Sequence, residues 1–236
     1  MSQPRPIVLV HGAFHGGWCW APLQAELDRR GIPSYAIDLP GHGASTAPLE
    51  DLHGDAAAVE RLLEQIGDEV VLVGHSYGGA VISQAGESGR VVRLVYLSAL
   101  VVDIDESASS VMAELPQSTA IPGRLMQRRD DGIMAANAEL ASVAFYNKCT
   151  PEMAAAAAAR LCPQRAATMK QLASRAAWKK LPSTYIRCLA DNAVPIAAQD
   201  ILAQRCSDIA TLDGDHSPFF GMPVELADIL EPFSRR

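Results

Sequence analysis

Apolar residues cluster in short runs that alternate with longer amphipathic stretches along the chain. Six runs have the length and the β-branched content of buried strands: Ile7–Val10, Tyr35–Ile37, Val70–Val73, Val91–Leu97, Thr184–Leu189 and Ile209–Leu212. Apolar positions with helical spacing lie between or after these runs, over Pro22–Arg30, Leu52–Ile66 and Met222–Phe233. This alternation is typical of an α/β fold, in which helices flank a mostly parallel sheet.

The interval between the fourth and fifth runs interrupts this alternation. Residues 98–182 contain no convincing core strand, and this length is too great for a bare connection in a compact domain. Helical patterns fill the interval instead, over Ala108–Leu115, Ile133–Phe145, Pro151–Leu161 and Gln164–Ala177. We therefore predict a core of residues 1–98 and 183–236 with a small helical cap inserted at residues 99–182.

A pattern typical of a serine nucleophile follows the third predicted strand. Residues Gly74–Gly78 read G-H-S-Y-G and lead into a run of small residues that opens a helix. In a sharp turn of this kind the serine projects above the sheet, and the flanking glycines leave space where a side chain would collide. The context therefore predicts that Ser76 is a nucleophile.

A serine hydroxyl needs a base, usually a histidine that a carboxylate orients. His216 follows the last predicted strand by a short loop, and Asp191 ends the strand before it, so the chain order is Ser76, Asp191, His216, as this architecture requires. Other aspartates stay open as the acid: Asp103, Asp213 and Asp215. We assign the remaining histidines to structural or loop positions, and we expect the His75 side chain to point away from Ser76.

Acyl transfer also requires donors for the oxyanion that develops on the substrate. The residue after the nucleophile supplies one backbone N–H group, here that of Tyr77. The loop after the first strand supplies the other, here that of Ala13, and the glycines around it let the backbone approach a ligand. The loop is not a phosphate-binding loop, because no Lys-Ser/Thr pair follows it.

Composition and charge narrow the class of partner. A hydrophobic fraction of 49% and a charged fraction of 20% exclude a disordered or fibrous chain. The net charge of −7 argues against a nucleic-acid surface, and the five cysteines have no spacing typical of a zinc site or a disulfide framework. No apolar run is long enough for a signal sequence or a membrane span. We therefore expect a cytoplasmic protein with no metal, nucleic-acid or membrane partner.

The segment His11–Trp20 resembles the oxyanion loop of the methylesterase and hydroxynitrile lyase family of α/β-hydrolases. Gly74–Ser76, Asp191 and Gly214–His216 match the triad positions of that family, and Tyr146–Glu152 resembles one of its cap segments. The resemblance implies an α/β-hydrolase fold with a small helical cap and hydrolysis of carboxylic esters without a cofactor. It also implies that the protein is a monomer or a homodimer.

From these features we expect a serine carboxylesterase that forms an acyl-enzyme. Its substrates would be small-molecule esters of hydrophobic or aromatic acids, either methyl esters or bulkier xenobiotic esters. Aromatic and methionine side chains are candidates to line the substrate pocket: Phe14, Phe145, Tyr146 and Phe219, with Tyr77, Met126 and Phe220 beside them.

Two other functions stay open from the sequence. One is a ligand receptor that keeps the triad but turns over little. The other is a hydroxynitrile lyase, although the resemblance implies a threonine at the position of Gly12 and a lysine at that of Ser217 in the lyases. We therefore expect ester hydrolysis and no cleavage of cyanohydrins.

Overall fold

A computed structural model describes residues 3–129 and 131–235. Its main sheet has six strands in the order β2-β1-β3-β4-β8-β9, and each neighbouring pair is parallel. These strands are β1 (Ile7–Val10), β2 (Ser34–Ile37), β3 (Val70–His75), β4 (Val91–Leu97), β8 (Ser183–Cys188) and β9 (Asp208–Leu212). All six predicted strands are present, and the α/β-hydrolase fold is confirmed.

Helices lie on both faces of this sheet. The helices outside the cap are α1 (Ala21–Arg29), α2 (Leu52–Ile66), α3 (Gly78–Ala85), α8 (Ile196–Ala203), α9 (Pro218–Gly221) and α10 (Pro223–Ser234). Two 3₁₀ turns are also present, one before α1 at Gly17–Trp20 and one near the end of the predicted cap segment at Ala177–Lys179. Helix α2 shows clear end signals, because the Asp51 side chain accepts hydrogen bonds from the His53 and Gly54 N–H groups at its start. Gly67 ends it in the left-handed conformation, with φ of 77°.

Strand β1 illustrates why the central strands read as continuous apolar runs. Its four residues are fully buried, and their side chains alternate between the two faces of the sheet. Val8 and Val10 pack into a core with α2, α3 and α8, whereas Ile7 and Leu9 pack into a second core with α1 and α10. Burial on both faces is typical of parallel sheets, and it places β1 and β3 at the centre of the molecule.

The segment predicted to be a helical cap contains both helices and strands. Its helices are α4 (Ala108–Glu114), α5 (Ala138–Phe145), α6 (Pro151–Ala158) and α7 (Ala167–Lys170). Three short strands form a separate antiparallel sheet in the order β5-β6-β7: Met126–Arg128, Ile133–Ala136 and Gln164–Arg165.

Two of the predicted cap helices were therefore wrong in part. The pattern over Ile133–Phe145 begins as strand β6, and Asn137 then caps α5 by accepting hydrogen bonds from the N–H groups of Glu139 and Leu140. The pattern over Gln164–Ala177 begins as β7 and continues as a single helical turn. For β6, the physical reason is that a short apolar run fits either period, so pairing with a neighbouring strand decides its conformation. For β7, the reason is that two polar residues show no period at all.

The topology brings the predicted functional segments together. The loop after β1 (residues 11–17, called the β1 loop below), the turn at Ser76, Asp191 and His216 each follow the carboxyl end of a different parallel strand. These ends share one edge of the sheet, where α/β proteins bind their ligands. No helix among residues 3–129 and 131–235 is long and apolar enough to cross a membrane.

Candidate active site

The predicted nucleophile occupies a strained turn between β3 and α3. The backbone of Ser76 has φ of 52°, in the left-handed region that few residues other than glycine adopt. A Cβ atom on Gly74 would lie 2.5 Å from the Gly78 carbonyl oxygen, and one on Gly78 would lie 2.6 Å from that of Val10. Only glycine fits at these two positions, so the glycines that flank Ser76 make the turn possible.

Asp191 lies against His216 at the carboxyl edge of the sheet. The His216 Nδ1–H group donates to Asp191 Oδ2 at 2.7 Å, and both side chains are buried. Asp191 Oδ1 accepts from the Ala193 and Val194 N–H groups at 2.7 and 2.9 Å, and the Ser98 hydroxyl donates to Oδ2. The carboxylate is thus held in place by four donors, and it leaves His216 Nε2 available to accept a proton.

The other candidate aspartates have different partners. Asp103 pairs with Lys179 at 2.5 Å, and Asp213 pairs with Lys148 at 2.8 Å. The two carboxylate oxygens of Asp215 accept backbone N–H groups, from Ser217 at 3.0 Å and from Lys148 at 2.9 Å. Among the described residues, Asp191 is therefore the acid that contacts His216.

Ser76 and His216 line one cavity, together with Ala13 and Tyr77. The described residues include no hydrogen bond from the Ser76 hydroxyl to His216, which is a common finding for catalytic pairs in the absence of substrate. The ionisable side chains in the described lining are those of His15, His75, His216 and Tyr77. The cavity therefore suits an uncharged ligand.

His75 holds the loop that carries His216, a role that sequence reasoning missed. Its Nε2–H group donates to the His216 carbonyl oxygen at 2.7 Å. Burial lowers the pKa of His75 well below the ordinary histidine value, and the nearby His216 lowers it further, so the ring is neutral. His75 is also among the residues that line the cavity with Ser76. The expectation that its side chain points away from Ser76 stays a prediction.

The β1 loop is fixed by a second neutral histidine, His11. Its Nδ1–H group donates to the Gly12 carbonyl oxygen at 2.8 Å, and its Nε2 accepts from the Leu39 N–H group at 3.1 Å. Burial lowers the pKa of His11 well below its usual value, which keeps both hydrogen bonds in this arrangement. The peptide group between Gly12 and Ala13 is thereby held through the Gly12 carbonyl oxygen. The N–H group of the same peptide, which belongs to Ala13, is the predicted oxyanion donor.

His15 connects the β1 loop to the cap. Burial lowers its pKa to about 4, so the ring is neutral near pH 7. Since a carbonyl oxygen can only accept, His15 Nδ1–H donates to the Ala13 oxygen at 2.7 Å, and the Tyr146 hydroxyl must donate to His15 Nε2, also at 2.7 Å. The aromatic side chain of Tyr146 thus acts on the loop through His15.

Two further cap residues hold Phe14, which has φ of 66°. The Phe14 N–H group donates to Gln164 Oε1 at 3.0 Å, and the Cys162 N–H group donates to the Phe14 carbonyl oxygen at 2.8 Å. Gln164 is fully buried, and its amide nitrogen donates to the Thr168 hydroxyl at 2.8 Å. Gln164 and Cys162, both in the segment predicted to be the cap, therefore hold the β1 loop at Phe14.

Tyr77, whose N–H group is the second predicted oxyanion donor, has a buried side chain. Its hydroxyl donates to Asp55 Oδ2 at 2.8 Å, and the other Asp55 oxygen has no hydrogen-bond partner among the described residues. Burial raises the pKa of the Asp55 carboxyl to about 7, against the smaller opposing effect of the Tyr77 hydrogen bond. Asp55 on α2 was not singled out by any motif.

The four residues predicted to bind substrate divide into two pairs. Phe14 and Phe145 line the cavity, as does Met126. Tyr146 and Phe219 are not part of the described lining and lie one layer behind it, Tyr146 against His15 and Phe219 against His75 at 5.0 Å between ring centroids. Aromatic identity alone does not distinguish a residue on the cavity wall from one that packs behind it.

Comparisons with known proteins agree with this architecture. Residues 7–229 match the model of the alpha/beta hydrolase family. The alpha/beta hydrolase nvfD of Aspergillus novofumigatus (strain IBT 16806) is 32% identical over 240 residues, which cover 94% of this chain and 93% of the relative.

Solved structures show the same similarity. The methylesterase MES16 from Arabidopsis is 27% identical with a TM-score of 0.81, over 98% of this chain and 100% of that one. The pyrethroid hydrolase from Sphingobium faniae JZ-2 has a TM-score of 0.82 over 98% and 97% of the two chains; at 24% identity it shows a shared fold alone. The chain belongs to the alpha/beta hydrolase family.

Proposed function

We propose that the protein is a serine hydrolase of carboxylic esters that acts through an acyl-enzyme. The observation that carries this proposal is the hydrogen bond between Asp191 and His216 in a site where His216 shares one cavity with Ser76. Ester hydrolases among its relatives support the reaction class, since several are named methylesterases.

The chemistry follows from the positions of these groups. Ser76 Oγ attacks the carbonyl carbon of the ester, and His216 Nε2 takes the hydroxyl proton. Asp191 stabilises the imidazolium through the bond at Nδ1, and the N–H groups of Ala13 and Tyr77 stabilise the oxyanion. The alcohol then leaves with the proton from His216, and water attacks the acyl-enzyme by the same steps to release the carboxylic acid.

The lining of the cavity supports esters of hydrophobic or aromatic acids. Phe14 and Phe145 provide aromatic surface, and residues of the cap supply much of the remaining wall. The name of one neighbour, the methylesterase MES16, supports methyl esters as members of this class. We propose that residues 99–182 act as the cap, and we retain the expectation of a cytoplasmic monomer or homodimer.

Hydrolysis fits the space beside Ser76 better than cyanohydrin cleavage does. A Cβ atom on Gly12 would lie 2.9 Å from both Ser76 Cβ and His75 Nδ1, so a threonine there would displace its neighbours. Ser217 offers a buried hydroxyl and no positive charge for a departing cyanide anion.

The test compares the unmodified protein with Ser76→Ala on p-nitrophenyl esters and on methyl esters of aromatic acids. Loss of the nucleophile should lower kcat by several orders of magnitude, as is common for triad serines. The control is Ser207→Ala, at an exposed serine that lines neither this cavity nor the groove beside it, and it should keep full activity. A serine-directed phosphonate should label the parent and leave Ser76→Ala unlabelled.

Three results would contradict the proposal. Full activity of Ser76→Ala would exclude the mechanism. A single burst of p-nitrophenol without steady turnover would favour a ligand receptor. Cyanide release from mandelonitrile that is faster than cleavage of a matched methyl ester would favour a lyase.

A further inference from the structure

A groove lies beside the catalytic cavity on the cap side of the molecule. Met112, Met126 and Met169 line both spaces, so their side chains form the partition between them. Four residues line the groove but not the cavity: Met134, Ala113, Ser109 and Gln117. The groove therefore adjoins the proposed site, and a wall of methionine side chains lies between the two.

Four methionines line the groove, and they come from four different elements of the segment predicted to be the cap. Met112 lies on α4, Met126 on β5, Met134 on β6 and Met169 on α7. The whole chain has seven methionines, so more than half of them meet at one place. Methionine side chains are flexible and polarisable, and they adapt to ligands of irregular shape, which is why they are common at surfaces that bind varied apolar groups.

Exposure and charge indicate what such a groove accepts. The Met126 side chain is 37% exposed, although burial is usual for a residue of this size and polarity. None of the described lining residues of the groove is charged, and the Gln117 amide nitrogen already donates to the carbonyl oxygens of Met112 and Leu115. A carboxylate or ammonium group would lose hydration there without gaining a partner, so the groove favours uncharged apolar ligands.

We propose that this groove is a second subsite that binds the distal apolar part of a long ester. The substrate class is uncharged esters with an extended alkyl or ring-containing arm on the acyl or the alcohol side. The arm passes between Met112, Met126 and Met169, whose side chains rotate to admit it, while the ester carbonyl stays beside Ser76. This inference rests on the proposed ester hydrolysis and adds a preference for long substrates over short ones.

The experiment introduces a charge into the groove without altering the catalytic cavity. Ala113 is exposed on α4 and lines the groove but not the catalytic cavity. Ala113→Arg therefore places a long cationic side chain in the groove. The matched control is Ala156→Arg, at an exposed position of α6 that lines neither space. A second pair, Met134→Gln and Met153→Gln, compares a groove methionine with an exposed one elsewhere in the cap.

Two ester series identify the arm. The acyl series runs from p-nitrophenyl acetate to p-nitrophenyl decanoate, and the alcohol series from methyl acetate to decyl acetate. We expect Ala113→Arg and Met134→Gln to lower kcat/KM for the long member of one series by about tenfold relative to its short member, since a few buried methylene groups account for a factor of this size. The two control variants should leave the ratio of long to short unchanged.

The outcomes separate this inference from the proposed function. If the unmodified protein hydrolyses no ester, the proposed function itself is wrong. If it hydrolyses short esters and both groove variants leave the long-to-short ratio unchanged in both series, the groove is not a subsite. An equal loss on short and long esters in both groove variants would also contradict the subsite, because it would indicate a general disturbance of the cap.

Discussion

His15 is the residue through which the cap reaches the proposed oxyanion donor. It donates to the Ala13 carbonyl oxygen and accepts from the Tyr146 hydroxyl, and its low pKa fixes this pattern of donors and acceptors. A protonated His15 would carry hydrogen on both ring nitrogens and would no longer accept from Tyr146. The hydrogen bond between Tyr146 and His15 therefore orients the loop only while the ring is neutral.

We expect Tyr146→Phe to lower kcat about tenfold and to leave KM within about twofold. The phenylalanine keeps the buried ring but removes the donor to His15 Nε2, so the Ala13 peptide loses part of its support in the transition state. Steady-state kinetics on a p-nitrophenyl ester near pH 7 give the two constants. Tyr35→Phe, at a tyrosine that is 43% exposed, is the control and should match the parent. An unchanged kcat would mean that His15 holds the loop without Tyr146.

The residues of the site differ in how far the sequence predicts them. Ser76, Asp191 and His216 follow from a motif, from strand ends and from chain order, all of which are local or topological signals. The roles of His75 and His15 depend on burial and on which ring nitrogen carries the proton. Because those properties arise from tertiary packing, no spacing in the sequence indicates them.

At the scale of elements, the six core strands are predictable and the three cap strands are not. The central strands β1 and β3 are continuous apolar runs because both of their faces are buried, whereas the edge strands β2 and β9 are partly exposed. The cap strands are two to four residues long, and β7 consists of Gln164 and Arg165 alone. Its conformation depends on pairing with β6, with Met134 opposite Gln164. A strand of two residues is too short to show a hydrophobic period, so the sequence does not predict it.

Strand β7 is short but supports the β1 loop, because the side-chain oxygen of Gln164 accepts a hydrogen bond from the Phe14 N–H group. We expect Gln164→Leu to leave that buried N–H group without a partner and to destabilise the protein by about 1–3 kcal/mol. The same change should lower kcat, since the β1 loop loses a support. Urea unfolding and steady-state kinetics on one preparation measure the two effects.

Gln127→Leu is the matched control for this change. Gln127 lies on β5 of the same small sheet, but it is exposed, and its side chain contacts no part of the β1 loop in the described hydrogen bonds. Gln127→Leu should change neither the free energy of unfolding nor kcat by much. If Gln164→Leu is as stable and as active as the parent, the cap does not support the loop through β7.

At the scale of the whole molecule, the carboxyl edge of the sheet concentrates buried histidines. His11, His15, His42 and His75 are all buried, and burial lowers the pKa of each. Asp55 has the opposite effect on proton binding, since burial raises its pKa to about 7. The proposed site thus includes several groups whose proton binding differs between the folded and unfolded states, which links stability to pH.

The sign of this link follows from each group. A histidine with a lowered pKa takes up a proton on unfolding once the pH falls below about 6.5, so it destabilises the folded protein in acid. Asp55 is protonated in the folded protein below pH 7 and releases its proton on unfolding above about pH 4, which partly offsets the histidines. Near pH 5.5, the buried histidines therefore take up protons on unfolding while Asp55 releases one, so unfolding takes up protons overall.

We therefore expect the free energy of unfolding to fall as the pH is lowered from about 6.5 to about 5.5, because unfolding takes up protons overall. Urea unfolding followed by circular dichroism at pH values across this range gives the slope. Asp55→Asn removes the group that opposes the histidines while an amide oxygen can still accept from the Tyr77 hydroxyl. In that variant the free energy of unfolding should fall more steeply, by about 1.4 kcal/mol more per pH unit, because the proton that Asp55 releases on unfolding no longer offsets the uptake. A slope near zero in the parent would mean that the buried histidines are protonated in the folded protein. A slope unchanged by Asp55→Asn would mean that Asp55 is already ionised at this pH.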